Sequence, residues 1–455
     1  MVVLTALCLA PLAAPLFSRR VDLMSPITLV GAAFLALYAL RGWALESSHV
    51  AGRDISFRAA AAYDLYIAQT LDLAICGILG FYLGYVWRIG RDVAHTVPRP
   101  RPPVRRQRWL SAGLMLTAVG LPCFVLAPYA AWGGLAGTGL TEPVQTGAVG
   151  AQLGFVYLVF ARQDAPPRLR ALILWLLAIS GMAMLTAGLV FVQKAPILWA
   201  ILTIAAAYHY GRRPLRPGQI AIAAVVFLFV AFPAVQALRH ERDRPGQASL
   251  ASSLATVPKA LVTAETGRVV RPDQYFTYVA RLFTRRLSSV DSLLVARALT
   301  PGAYPFLNGD TYTRLPETFI PRALWPEKPG VSLGDWFAVT YWGRTGAHDT
   351  SSQSVTFIGE LYLNFGAGAV FVGMFLFGVM YRFWYEYLAR AWTPPAIGMY
   401  AISLPTLLQV EADSVLLFRT GVGRVLVGAA LLTIVGFVLS TKTNVSRENR
   451  RVTSA

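Results

Sequence analysis

Between residues 239 and 354 the sequence carries fourteen Lys or Arg and ten Asp or Glu, and six of the cations recur at short intervals: Arg281, Arg285, Arg286, Arg314, Arg322 and Lys328. A guanidinium presents a rigid fork of donors that matches phosphate oxygens, and a lysine adds a compact point charge, so this set suits a phosphate-bearing ligand. From Thr300 to Asp349 a Pro- and Gly-rich stretch adds Tyr304, Phe306, Tyr312, Phe319, Trp325, Trp336, Tyr341 and Trp342. Two readings compete for these rings. Aromatics and long cations form belts at bilayer surfaces as a matter of routine. Alternatively they line a cleft in which rings stack on sugar faces while cations grip a phosphate, and the interleaving of Arg314, Arg322 and Lys328 favours the cleft. Three groups nearby could take a proton from a sugar hydroxyl: Asp349, His348 and Glu360. Asp349 opens the polar run "DTSSQS", and Glu360 stands at the mouth of an apolar run, where a carboxylate is unfavourable without a partner. Lys194, between two apolar runs, reads equally well as a binding cation or as a lysine snorkelling at a helix end. Glu411, Asp413 and Arg419 form a second charged set that could simply pair with one another.

The elements that must position these groups follow from composition. Hydrophobic residues make up 55% of the chain and charged ones only 14%, and runs of about 20 apolar residues recur along nearly its whole length. Backbone polar groups cannot stay unpaired in hydrocarbon, so these runs must be helices. The expectation is an all-α polytopic integral membrane protein with eleven spans, near Val2 to Phe17, Leu23 to Leu45, Leu65 to Val86, Trp109 to Trp132, Val144 to Ala161, Ala171 to Val192, Ala195 to Tyr210, Gln219 to Leu238, Leu361 to Met380, Pro395 to Val410 and Val422 to Ser440. The organisation is then spans one to eight over 1–238, one large extracytoplasmic loop over 239–354, three further spans over 355–440 and a tail over 441–455. Within the loop, Tyr275 to Ala298 reads as a helix from the spacing of its apolar residues. No Lys or Arg precedes the first apolar run, and Arg19 and Arg20 follow it, so it is expected to be retained rather than removed as a secretory signal.

Arginine placement sets the expected orientation. The loop Arg88 to Arg108 holds seven arginines against the single Asp92, and short Arg-rich loops stay on the cytoplasmic side. Arg162 to Arg170, Arg212 to Arg216 and the tail after Ser440 agree, which puts the N-terminus outside, the C-terminus inside and the long loop outside. Much of the net charge of +18 is this inner-face bias, so the basic balance does not imply nucleic-acid binding. Cys8, Cys76 and Cys123 all fall in expected spans, and no thiolate or His cluster with metal spacing occurs. No Walker loop, GxGxxG or HExxH is present, so neither nucleotide nor metal is expected. Energy for synthesis on the outside must arrive in the substrate, and a polyprenyl-diphosphate leaving group carries it.

The segments "RRLSSVDSLL" and "YPFLNGDTYTRLPETFIPRALWPEKPG", followed by "SVTFIGELYLNFGAGAVFVGMFLFGVMYR", resemble the O-antigen polymerase (Wzy-type) family of oligosaccharide repeat-unit polymerases. "FIPRALWPEKP" and "GELYLNFG" are the most specific pieces. The resemblance implies a metal-independent GT-C type glycosyltransferase in a bacterial inner membrane, joining repeat units carried on undecaprenyl diphosphate for O-antigen, capsule or exopolysaccharide. It implies no cofactor, and it places Arg286, Arg322, Lys328 and Glu360 at the site. A chain-length regulator protein would be the partner. Rivals are an O-antigen ligase, which differs only in acceptor, a lipid-linked oligosaccharide flippase, and a subunit that binds polysaccharide without turning it over.

Overall fold

A computed structural model describes residues 1–17, 22–51, 57–99, 102–131, 135, 140–190, 194–236, 272–284, 286–318, 320, 325, 333–343 and 352–452. Helices dominate and no strand occurs among them. Eight helices are long and apolar enough to cross a membrane: Pro26–Ser47, Ala62–Val86, Arg106–Ala130, Thr141–Asp164, Pro167–Gly188, Pro217–Gln236, Ala367–Ala391 and Ser414–Thr441. Each overlaps one of the eleven expected spans. Val2–Ala14 and Ala195–Gly211 are shorter apolar helices, and the stretch expected near Pro395 to Val410 holds the helix Pro394–Leu407.

The chain divides into two compact units, one of Met1–Val97, Ala280–Glu386 and Thr406–Gly423, the other of Pro98–Val279, Tyr387–Pro405 and Arg424–Ala455. In the first unit, the helix Phe57–Val86 crosses Ala367–Tyr387 at backbone distance, because glycines remove the side chains that would separate them. A Cβ at Gly80, Gly84 or Gly378 would run into the carbonyl of Phe371, Phe375 or Phe81 respectively. Small residues at such crossings let dispersion act across the full contact. Phe81 meets Tyr381 edge to face at 5.2 Å beside this seam. Gly84→Ala should therefore cost about 1–3 kcal/mol by overpacking, read as a lowered melting midpoint in detergent, whereas Ala substitution at Gly368, which has open space around it, should leave the midpoint unchanged.

Two expectations need correction. The apolar run from Leu361 is not one span. Gly366, at φ 78°, ends the helix Phe357–Phe365, and the chain reverses into Ala367–Tyr387. Phe357 stacks on Phe377 at 4.7 Å and Leu361 packs against Gly373, so the two helices form an antiparallel hairpin. A positive φ at the turn is what glycine permits without strain. The expected helix Tyr275 to Ala298 is likewise two helices, Pro272–Thr284 and Ser289–Leu299. The break lies between Thr284 and Ser289 and ends on Ser288, the residue that precedes the second helix and a type whose hydroxyl competes for local backbone groups and disfavours helix interiors.

The second of these short helices is anchored by a buried ion pair. Arg41, 5% exposed, donates from Nε and Nη2 to the two oxygens of Asp291, 2% exposed, both at 2.8 Å, and from Nη1 to the Thr284 carbonyl at 3.1 Å. Further along the same helix, Arg297 lies over the rings of Tyr66 and Tyr362 and donates to the Tyr362 hydroxyl at 3.0 Å.

In the second unit, Trp109–Ala131 and Thr141–Asp164 approach through Gly113, Gly120, Gly150 and Gly154 in the same backbone-to-backbone manner. Gln152 donates to Thr203 Oγ1 at 2.6 Å, which satisfies a buried amide between helices. Arg424 lies flat on Trp199, 3.8 Å from the ring centre.

Candidate functional site

The segment that leads into the helix Phe357–Phe365 and the segment after Leu407 shape a polar cavity of about 520 Å³ within the first unit. Its wall is built from Arg286 and Ser288 before the helix Ser289–Leu299, from Ser352, Gln353 and Ser354, and from Glu411, Asp413 and Arg419. The wall segments around Ser354, Glu411 and Gly334 are tied together. The Thr356 N–H donates to the Glu411 carbonyl at 3.0 Å, the Ser354 hydroxyl donates to that same carbonyl, and the Gln353 N–H donates to the Gly334 carbonyl at 3.1 Å.

Thr356 is the strained member. It is fully buried at φ 66°, a region that β-branched residues avoid, and its Oγ1 accepts from the Gly359 N–H at 3.0 Å to cap Phe357–Phe365. Strain of this kind persists only where surrounding contacts over-determine it, and it clusters at functional sites. Here it directs the backbone from the cavity wall into the helix that carries Glu360.

Glu360 lies behind the wall, not in the cavity. It is fully buried and accepts from the Ser414 N–H at 2.6 Å and from the Ser414 hydroxyl at 2.8 Å. Burial pushes its carboxyl up to about 7, the Ser414 backbone hydrogen bond opposes that, and the nearby Asp413 charge adds to it. Around it, Asn364 donates to the Glu360 carbonyl at 2.8 Å and to Thr311 Oγ1 at 2.9 Å, and it accepts from the Gly309 N–H. Glu360 thus fastens the start of the helix at Ser414 to the hairpin.

Asp413 does face the cavity. Its Oδ1 accepts from the Leu416 N–H at 2.8 Å and caps the following helix, and burial holds its carboxyl above the ordinary value despite the backbone hydrogen bonds. Arg286 and Arg419 are both exposed at the cavity, and neither makes an ion pair with a described residue. The expected self-pairing of Arg419 with Glu411 and Asp413 is therefore absent among the described residues. Arg419 lies on a helical turn beyond the capped end, and the carboxylate of Asp413 is turned back onto that turn's backbone.

Of the remaining sequence candidates, those within the described residues do not line the cavity. Arg281 is exposed on the helix Pro272–Thr284, and Arg314 is a surface residue paired with Asp310 at 2.8 Å. Trp325 is half-buried. Arg285, Arg322, Lys328, His348 and Asp349 lie outside the described residues, as does the side chain of Lys194. Of the rings, Phe337 and Tyr341 are buried and stack at 4.6 Å, with Trp336 and Tyr304 packed on Tyr341. Phe337 and Tyr341 are thus held face to face, while Trp336 and Tyr304 stay half-buried.

Asp413, Glu411 and Arg419 did not enter the primary candidate set. The signal that could have raised them is local: an Asp before an apolar run marks a helix start, and the cation six residues on shares that end of the helix.

Fold and site together define a protein that is helical throughout its described elements, with eight helices long and apolar enough to cross a membrane and a charged cavity beside them. Residues 149–391, just over half of the chain, match the family described as "Domain of unknown function (DUF8712)", and the chain belongs to that family. No curated protein and no solved structure matches it.

Proposed function

We propose that this protein is a membrane glycosyltransferase that joins lipid-linked oligosaccharide repeat units on the outer face of a bacterial cytoplasmic membrane, with undecaprenyl diphosphate as carrier and leaving group. One observation carries the proposal: two guanidinium groups without carboxylate partners among the described residues share a cavity with a carboxylate held above its ordinary value. The seven-arginine loop Arg88 to Arg108 supports the orientation, since it belongs inside.

In this reading Arg286 and Arg419 bind the diphosphate and stabilise the charge that builds on it as it departs. Asp413 takes the proton from an acceptor hydroxyl, whose oxygen attacks the anomeric carbon of the donor sugar. The new C–O bond forms as the bond from that carbon to the phosphate oxygen breaks, and the lipid diphosphate leaves. A carboxylate with a raised proton affinity is a better base near neutral pH than an ordinary surface carboxylate. Glu360 holds the helix start that presents Asp413 and Arg419, so its role is positional.

The test is purified protein with a synthetic lipid-linked repeat and no nucleotide or metal, with a ladder of products expected. Arg419→Gln and Arg286→Gln should each slow ladder formation by about 10²–10³-fold, and Asp413→Asn by about 10²–10⁴-fold. Polymer that transfers intact to a second acceptor would point to a ligase. Transbilayer movement of the unit without any new glycosidic bond would point to a flippase.

A further inference from the structure

The polar cavity has an apolar neighbour in the same unit. A groove of about 450 Å³ runs along the hairpin helix that starts at Ala367, and its wall exposes only apolar atoms. Phe365, Val372 and Leu376 line it at 50%, 57% and 61% exposure, and Gly373 and Met380 carry it further along the span. From Ala369 to Met380 the helical rise amounts to about 17 Å, close to half of a hydrocarbon core of roughly 30 Å. Tyr312, stacked on Phe365 at 5.8 Å, walls one end. Phe418 lines the groove and Arg419 lines the polar cavity, so two consecutive residues of one helical turn serve the two hollows.

We propose that this groove seats the isoprenoid chain of the lipid whose diphosphate lies between Arg286 and Arg419. The proposal rests on reading the cavity as a diphosphate site. A groove on a membrane span always meets hydrocarbon, so the argument for this occupant over bulk phospholipid is chemical. A diphosphate carries more negative charge than the single phosphodiester of a phospholipid, and two arginines without carboxylate partners among the described residues suit the former. Tyr312, Phe365, Phe377 and Phe418 line the groove, and a rigid, methyl-branched, unsaturated chain fills such a ring-rich surface with less loss of conformational freedom than a saturated acyl chain. Gly373 keeps the floor low where Leu361 packs down from the other arm of the hairpin.

The test is binding of undecaprenyl diphosphate, farnesyl diphosphate and phosphatidylglycerol to the purified full chain, read by native mass spectrometry. Tighter binding of the long chain than the short one by about tenfold or more is expected, which is about 1.4 kcal/mol. Leu376→Trp, which fills the groove from an exposed position, should erase that difference while leaving the melting midpoint in detergent unchanged, and Val372→Trp should act likewise. Arg286→Gln and Arg419→Gln should weaken both diphosphates by a similar factor and leave the chain-length difference intact. Equal binding of long and short chains, an undiminished difference in both groove variants, or phosphatidylglycerol that competes as well as undecaprenyl diphosphate would each overturn the groove assignment. Unchanged diphosphate binding in both arginine variants would instead remove the cavity reading on which it rests.

Discussion

Arg41→Ala is expected to destabilise the protein by about 3–5 kcal/mol, the largest stability loss of any single substitution considered. Both partners are buried, and the pair is bidentate at 2.8 Å on each arm with the third nitrogen bonded to the Thr284 carbonyl. Removing the guanidinium leaves the Asp291 carboxylate buried and unpaired, and that desolvation cost, rather than the attraction itself, sets the size of the loss. Asp291 also stands in the first turn of its helix, where the backbone dipole offers only a fraction of the missing stabilisation. The double variant Arg41→Met with Asp291→Leu should recover most of the stability, since it leaves no charge to desolvate. Melting midpoints in detergent decide the matter. A double variant no more stable than the single one would show that Arg41 acts through shape and not through charge.

Glu360 gives the second large effect, and it is visible in pH. Its carboxyl is held near 7 against an ordinary value of 4.5. Below pH 4.5 both the folded and the unfolded protein carry the proton, and the group contributes no pH dependence. As pH rises from there toward 7 the unfolded chain ionises first, so stability falls, and beyond 7 it levels off. At about 1.4 kcal/mol per unit the drop amounts to about 3 kcal/mol. Glu360→Gln keeps an oxygen for the Ser414 N–H and an amide for the Ser414 hydroxyl, yet it has nothing to ionise. Its melting midpoint should decline less steeply across that window than the parent's, the remaining fall coming from Asp413, whose carboxyl is also raised. Parallel curves for the two proteins would move the origin of the slope to another group.

The spans were legible because an apolar run of bilayer length is a long signal, and eight such runs fall on helices of that length. The hairpin at Gly366 was not, because both of its arms are apolar and the reversal depends on one residue, which a hydropathy pattern averages away. Glu360 was recognisable as a carboxylate in an unfavourable place. That it bonds Ser414 depends on a contact 54 residues away, which no local pattern encodes. Arg286, which lines the cavity, was singled out by charge density and by the family resemblance. Arg419 was discounted because two acids lay within eight positions of it, and sequence proximity says nothing about where the Asp413 carboxylate turns once it caps a helix.

The pairing of Arg41 with Asp291 also has a bearing on how the protein is made. The two residues are separated by 250 positions. At ribosomal rates of roughly 5–20 residues per second, on the order of ten to fifty seconds pass between the emergence of one and the other. During that interval a span holds a guanidinium whose counter-ion does not yet exist. The early helices must therefore wait beside water, lipid phosphate or the insertion machinery until the later segment arrives, and a nascent chain halted before Asp291 should be a far better substrate for membrane quality-control proteases than one halted just after it has docked.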